Sequence, residues 1–325
     1  MGRPNFATPT DPEEFVFLLL DGFTHLALSS SIEVLRVANL LSKKDLYAWS
    51  LMKVGGGSQL SSNGLETVVQ SDLRSLKAGT SLYVVSGLAA EDKVTKKLSA
   101  FLRAQYRHGV NLGALCSGAY VLAEAGLLNG NTCAVHWQYY PMFNEKFPDI
   151  KVSPNAFHAQ SRPFTASGGV AGAELMLHII SKAHGRDFAV EIADQLVLPK
   201  VRHEDDVQRM PDHIRFGTRN HILLQSLAYM SANLEEPIST REIADNLGIS
   251  GRQIERLFRK YIGRSPGRHY KFLRLEHAKN LLATTDLAII QIALATGFTS
   301  PSHFSKTFRA EYGETPYGSY RDKKG

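Results

Sequence analysis

Cysteine is scarce in this chain of 325 residues: only Cys116 and Cys133 are present. Two thiols make neither a disulfide framework nor a zinc site. Long apolar runs are also missing, and none approaches the ~20 residues of a membrane-spanning helix. The first residues, MGRPNFATPTDPEE, lack the apolar centre of a secretory signal, so a cytoplasmic protein with no membrane partner is expected. Met1-Gly2 could open a myristoylation signal, but Thr8 to Asp11 and the absence of other membrane features argue against it. No pattern calls for a metal or a cofactor, and none is expected. Basic charge is short over most of the length. Residues 1–236 carry 22 Lys+Arg against 23 Asp+Glu, whereas residues 237–325 carry 15 against 8. The formal net charge of +6 thus comes from the last quarter alone. A local excess of this kind suits a phosphate backbone, although a solvated helix face can look the same.

That basic quarter repeats itself. Residues 243–266 read IADNLGISGRQIERLFRKYIGRSP, and residues 292–316 read IALATGFTSPSHFSKTFRAEYGETP. Ile243, Ala244 and Gly248 return as Ile292, Ala293 and Gly297. After one inserted residue, Ile254, Phe258, Arg259, Gly263 and Pro266 return as Phe304, Phe308, Arg309, Gly313 and Pro316. Each copy predicts a short helix, a glycine turn and a second helix, the helix-turn-helix pattern. One such match is weak evidence; two, about fifty residues apart and each closing in Gly-x-[Ser/Thr]-Pro, are strong.

In the first copy Ser239 and Glu242 form a capping box. Ile254, Leu257, Phe258 and Tyr261 fall on one helical face, leaving Arg252, Gln253, Arg256 and Lys260 outward. In the second, Ser300-Pro301 caps and starts the helix, and Phe304, Phe308 and Tyr312 point inward. Ser302, His303, Lys306 and Arg309 are then outward. Pro266 opens a long connecting helix, and Asp286 is the expected cap of the helix after it. The repeat resembles the DNA-binding unit of the AraC family of transcription regulators, over roughly residues 220–321. The resemblance implies double-stranded promoter DNA as partner. It places the base readers at Arg252 and Arg256, then at Ser302 and Lys306, with Gln253 and His303 beside them. Ser302 is short for a base contact, so the second motif can serve phosphate, and Arg259 and Arg309 can equally be structural.

The earlier part of the chain follows another pattern. Apolar runs at 15–20 (FVFLLL), 47–54, 81–86 and 110–115 predict buried strands. Helices are predicted at 26–41 and 92–108. Further strands are expected at 132–135, 151–157 and 163–167, and closing helices at 168–183 and 186–197. The fold class is therefore an α/β amino-terminal domain, a parallel sheet flanked by helices, followed by an all-α domain with two helix-turn-helix motifs. The expected boundaries are a tail at 1–13, the α/β domain at 14–198, a linker at 199–217 and the DNA-binding domain at 218–325. His203, Glu204, Asp205 and Asp206 are adjacent and so cannot converge on a metal; a solvated charge run is expected there.

Cys116 stands where a strand turns into a helix, in GALCSGA (residues 113–119). Small neighbours permit a nucleophile elbow, and a helix N-terminus favours thiolate. His136 follows the next strand. A buried small hydrophobe and a strand-end histidine are the plain alternatives, and Cys133 is expected to be core. Strand, elbow cysteine, helix, strand, histidine resembles the class I glutamine amidotransferase-like superfamily in its PfpI-type branch, over roughly residues 14–198. With an AraC-type end, the whole resembles the GlxA-type subgroup of AraC regulators. Enzymes of that superfamily often hold an acid near the cysteine; the position matched to it here is Ala27, with Glu33 further along the same helix. No carboxylate is evident beside His136. A non-catalytic sensor domain is the expectation, with Glu33, Cys116, His136 and Trp137 lining the effector site. Phe23, Tyr139 and Tyr140 are candidate aromatic faces for a cation. The resemblance implies a nitrogen-bearing effector, an amino acid or a quaternary amine. An activator, RNA polymerase as a further partner and a homodimer formed through the first domain are also expected. The rival is a thiol hydrolase or amidotransferase using Cys116 and His136, fused to a DNA-binding tail.

Overall fold

The computed structural model describes residues 11–198, 204, 206, 208, 211–285 and 287–321. The chain divides into two compact units, Met1–Arg209 and Met210–Gly325.

The first unit begins with β1 (Glu13–Leu19), α1 (His25–Ser42) and β2 (Tyr47–Met52). A hairpin of β3 (Gly57–Leu60) and β4 (Glu66–Val69) follows, then β5 (Ser81–Val85), α2 (Lys96–Arg107), β6 (Asn111–Leu115) and α3 (Gly118–Glu124). The rest comprises β7 (Thr132–Ala134), α4 (Tyr140–Lys146), β8 (Lys151–Ser153), β9 (Phe157–His158), β10 (Phe164–Ala166), α5 (Ala171–His184) and α6 (Arg186–Gln195). The main sheet has the order β2-β1-β5-β6-β10-β9. All its pairings are parallel except β9, which runs antiparallel at the edge. β1 lies inside the sheet because both of its faces are apolar. Phe15, Phe17 and Leu19 join the core under α1, α5 and α6, while Val16, Leu18 and Leu20 join the core under α2 and α3. Each such side chain, fully buried, contributes about 1.5–3 kcal/mol. Cys133 is fully buried in the second of these cores.

Several local expectations change. Residues 151–157 form two strands, β8 pairing with β7 in a small separate sheet and β9 joining the main one. The stretch 92–108 starts as a 3₁₀ turn, Ala90–Lys93, and α2 begins only after Thr95, whose hydroxyl caps it. The charge run is not all solvated: the Glu204 side chain is only 15% exposed, 3.6 Å from His158, and accepts the Ala159 N–H at 2.7 Å. His203 and Asp205 lie outside the described residues.

The second unit is helical: α7 (Asp212–Arg215), α8 (His221–Ala232), α9 (Thr240–Asn246), α10 (Gly251–Tyr261), α11 (Pro266–Thr284), α12 (Ile289–Ala295), α13 (Pro301–Tyr312) and α14 (Pro316–Arg321). α9 and α10 form the first motif, and α12 and α13 the second. Each has its own core, and α11 contributes to both, Tyr270 to the first and Leu275, Ala278 and Leu282 to the second. Ser239 and Glu242 make the expected capping box. Asp286 lies outside the described residues. The cap position of α12 is Ala288, and Gln291 reaches back to accept its N–H at 2.9 Å.

Candidate functional site

The chain passes from β1 to β2 on one side of the sheet and then returns to β5 on the other. Strand order reverses between β1 and β5, and the crevice outside their carboxyl ends is the usual ligand position in such sheets. Thr24 follows β1 there, Gly87 follows β5, Cys116 follows β6 and Gly168 follows β10.

Cys116 has φ +58°, a left-handed conformation uncommon for a residue with a Cβ. The conformation is held from several sides. The Cys116 N–H donates to Ala166 O at 2.9 Å, and Thr24 Oγ1 donates to the Cys116 sulfur at 3.4 Å. Gly168 backs directly onto the thiol; a Cβ there would lie 3.0 Å from Sγ. Burial pushes the Cys116 thiol above its ordinary pKa, against hydrogen bonds from Thr24 and Ser117 and the nearby Lys93 ammonium. Desolvation disfavours the thiolate more than those groups restore it. The Lys93 Nζ donates to Leu88 O, and burial lowers its pKa.

Thr24 is thus the α1-side residue whose side chain is hydrogen-bonded to the thiol. Ala27 is fully buried in the core, and its carbonyl accepts the Ser31 hydroxyl at 2.8 Å. Thr24 is the N-cap residue of α1, and its hydroxyl is spent on the elbow thiol rather than on capping the helix. Neither Thr24 nor Lys93 is singled out by the sequence: one is a helix cap and the other part of a charged turn.

His136 is half-buried, and burial lowers its pKa. Its Nδ1 accepts the Gln138 N–H at 3.3 Å, within its own turn. Among the described residues no hydrogen bond joins it to Cys116 or to a carboxylate. Trp137 lies against it, ring centroids 5.1 Å apart. Glu33 accepts two hydrogen bonds from Arg36, at 2.9 and 2.6 Å, on a face of α1 where both side chains are about half exposed. The remaining aromatics are committed elsewhere. Phe23 is core, the Tyr139 hydroxyl donates to Gly87 O at 3.0 Å, and the Tyr140 hydroxyl donates to Ser153 O at 2.7 Å.

In the second unit the outward faces of α10 and α13 are exposed. Arg252, Gln253 and Arg256 on α10, and Ser302, His303 and Lys306 on α13, are exposed. Ile254 and Phe258, like Phe304 and Phe308, are buried beneath them. Gln253 has a prior duty: its Oε1 accepts the Ser250 N–H at 2.8 Å in a second capping box, leaving only its amide N–H groups for a base. His303 packs its ring against Phe298 at 5.8 Å. Arg274 Nε donates to Thr296 O at 2.7 Å and stacks over Phe298, tying α11 to the second motif.

Residues 14–182 match the DJ-1/PfpI family, and residues 243–322 match a helix-turn-helix domain. The HTH-type transcriptional regulator GbdR of Pseudomonas aeruginosa is 40% identical over 306 residues, 94% of this chain and 83% of that protein. The HTH-type transcriptional regulator GlxA of Rhizobium meliloti is 36% identical, covering 95% of each. Among solved structures, an AraC family transcriptional regulator from Pseudomonas putida matches over 57% of this chain and all of its own, at 28% identity and TM-score 0.52. A ThiJ/PfpI family protein from Pseudomonas syringae shares the fold at 17% identity and TM-score 0.51, over 73% of this chain and 90% of its own. A DJ-1/PfpI unit followed by an AraC-type double helix-turn-helix, alike over nearly its whole length to named regulators, makes this chain a member of the GlxA-type group of HTH-type transcriptional regulators.

Proposed function

We propose that the first unit binds a small nitrogen-bearing metabolite, an amino acid or a quaternary amine, in the crevice at Cys116 and does no chemistry on it. Binding changes how the second unit acts at a promoter. The regulator is an activator working in the cytoplasm as a homodimer through its first unit, with RNA polymerase as the downstream partner. The observation that carries the non-catalytic reading is the state of the thiol. It is buried with its pKa raised, and no base is hydrogen-bonded to it among the described residues. A nucleophilic cysteine needs a depressed pKa or an adjacent, oriented base. Cys116, His136 and Trp137 line the effector site in this reading, with Thr24 and Lys93. The Trp137 face suits a cation, and the Lys93 ammonium suits a carboxylate. Glu33 takes part if the ligand's cation displaces Arg36. On the DNA side, Arg252, Gln253 and Arg256 meet one major groove and Ser302, His303 and Lys306 the next.

Two experiments test this. A melting screen of the full chain against amino acids, betaines and quaternary amines should find a compound that raises the midpoint, by about 2.7 kcal/mol of stabilisation at a hundredfold excess over Kd. No shift from any of them, together with glutaminase, esterase or peptidase turnover, would favour the thiol enzyme. A footprint should show two short protected elements about 34 Å apart, one helical turn. A single element would restrict recognition to the first motif.

A further inference from the structure

The last described residue of the first unit, Gln208, lies immediately before the boundary that follows Arg209, and it is 94% buried by its 6% exposure. Its backbone and that of Asp206 clip onto the loop before β9: Ala156 N–H donates to Asp206 O at 3.0 Å, and Gln208 N–H donates to Pro154 O at 2.9 Å. Its side chain reaches across to the segment carrying His136 and Trp137. Gln208 Oε1 accepts the Trp137 N–H at 3.1 Å. Gln208 Nε2 faces three oxygens, Tyr140 Oη at 2.8 Å, Val135 O at 3.1 Å and Asn155 O at 3.2 Å. The Tyr140 hydroxyl gives its own proton to Ser153 O, so it can only accept from Gln208. The amide thus has one workable orientation. Reversed, it would set an oxygen against three oxygens and N–H groups against an N–H.

The same segment is tied to the elbow. Ser117 and Tyr139 both donate to Gly87 O, one from the residue after Cys116 and the other from the residue before Tyr140. A ligand that shifts the elbow or the His136–Trp137 turn therefore acts on the partners of one buried amide at the exit of the unit.

We infer that Gln208 is the positioning residue that couples the effector crevice to the polypeptide entering the DNA-binding unit, holding that exit in place while the His136–Trp137 turn keeps its present conformation. Ligand binding and exit position are then two readings of one hydrogen-bonded junction. A ligand shifts such an equilibrium only by its differential affinity for the two states. The inference rests on the effector reading above.

The test uses the full chain, duplex DNA selected by the wild type from a random pool, and arginine and glycine betaine as probes. Gln208→Glu is nearly isosteric but turns a carboxylate oxygen toward Val135 O and Asn155 O. Gln208→Met keeps the packing and removes every side-chain bond, and stands in if the first variant does not fold. Melting shift with each probe, the probe-dependent change in DNA affinity, and amide exchange at Trp137 are measured. Expected in the variants are faster Trp137 exchange, a melting shift within twofold of wild type, and loss of the probe-dependent change in DNA affinity. A retained DNA response despite faster exchange would overturn the coupling, as would loss of the probe's melting shift, which would make Gln208 mere support for the pocket. If neither probe shifts the wild type, the compound found by the melting screen replaces them; if no compound of that screen shifts it, the effector reading fails and the coupling falls with it.

Discussion

Gly248 and Gly297 hold the same place in the two motifs, both with positive φ, +63° and +74°, yet replacing them should have unequal consequences. An alanine at either site must adopt a left-handed backbone, at about 1–2 kcal/mol. At Gly248 nothing lies within 4 Å of the added Cβ, so that strain is the whole effect. At Gly297 the Cβ would stand 2.5 Å from Pro237 Cγ, 2.7 Å from its Cδ and 2.8 Å from Leu234 O. A proline ring and a backbone carbonyl cannot swing aside as a long side chain can. Overpacking of this kind adds about 1–3 kcal/mol, giving about 2–5 kcal/mol for Gly297→Ala. In a domain of about 100 residues each kcal/mol moves the midpoint by about 4–8 °C. The melting of the second unit should therefore fall at least ~4 °C further in Gly297→Ala than in Gly248→Ala. Because Pro237 precedes α9, the clash also disturbs the seat of the second motif on the first. Protection of the second DNA element should weaken before that of the first. Equal midpoints for the two variants, or a larger loss at Gly248, would refute the reasoning.

Other outcomes follow from single side chains. Burial among Phe216, Phe258 and Phe272, with repulsion from Arg215 and Arg264, pushes the His269 pKa down to about 4, and its Nε2 has no hydrogen-bond partner among the described residues. The unfolded chain binds this proton first, near pH 6.5, so the stabilisation is complete above that pH. It is lost as pH falls from 6.5 toward 4, by about 3 kcal/mol at most; an unchanged acid slope in His269→Phe would contradict this. Arg256→Ala should cost about 1–3 kcal/mol of DNA affinity and relax specificity at one base step. A uniform loss across all sequences would make Arg256 a phosphate contact.

The second unit was readable because its signals are local. Capping serines, turn glycines and 3.6-residue spacing act within a few residues, so the repeat located α9, α10, α12 and α13 and their buried faces. β1 was readable for a similar reason, since six consecutive apolar residues leave no exposed face. The contacts of the candidate site were less legible because they are made between segments far apart. Thr24 meets Cys116 across 92 positions and Gln208 meets Val135 across 73, and neither residue type announces such a contact. Residues 57–60 and 66–69 gave no strand signal, because β3 and β4 form a small hairpin with Val68 exposed. Gln253 shows the limit of a helical projection: the spacing turns it outward, but its carbonyl is already spent on the cap.

The central claim is that Cys116 lines a sensing crevice and does no chemistry. The most direct measurement is effector-dependent transcription by the wild type, Cys116→Ser and Cys116→Trp, using the compound that raises the melting midpoint. Serine is close in size and keeps a hydroxyl in reach of Thr24, so its response should stay near wild type. Tryptophan fills the crevice and should abolish the response while the chain still binds its DNA. A response lost in the serine variant, with hydrolytic turnover in the wild type, would contradict the account and make Cys116 a nucleophile.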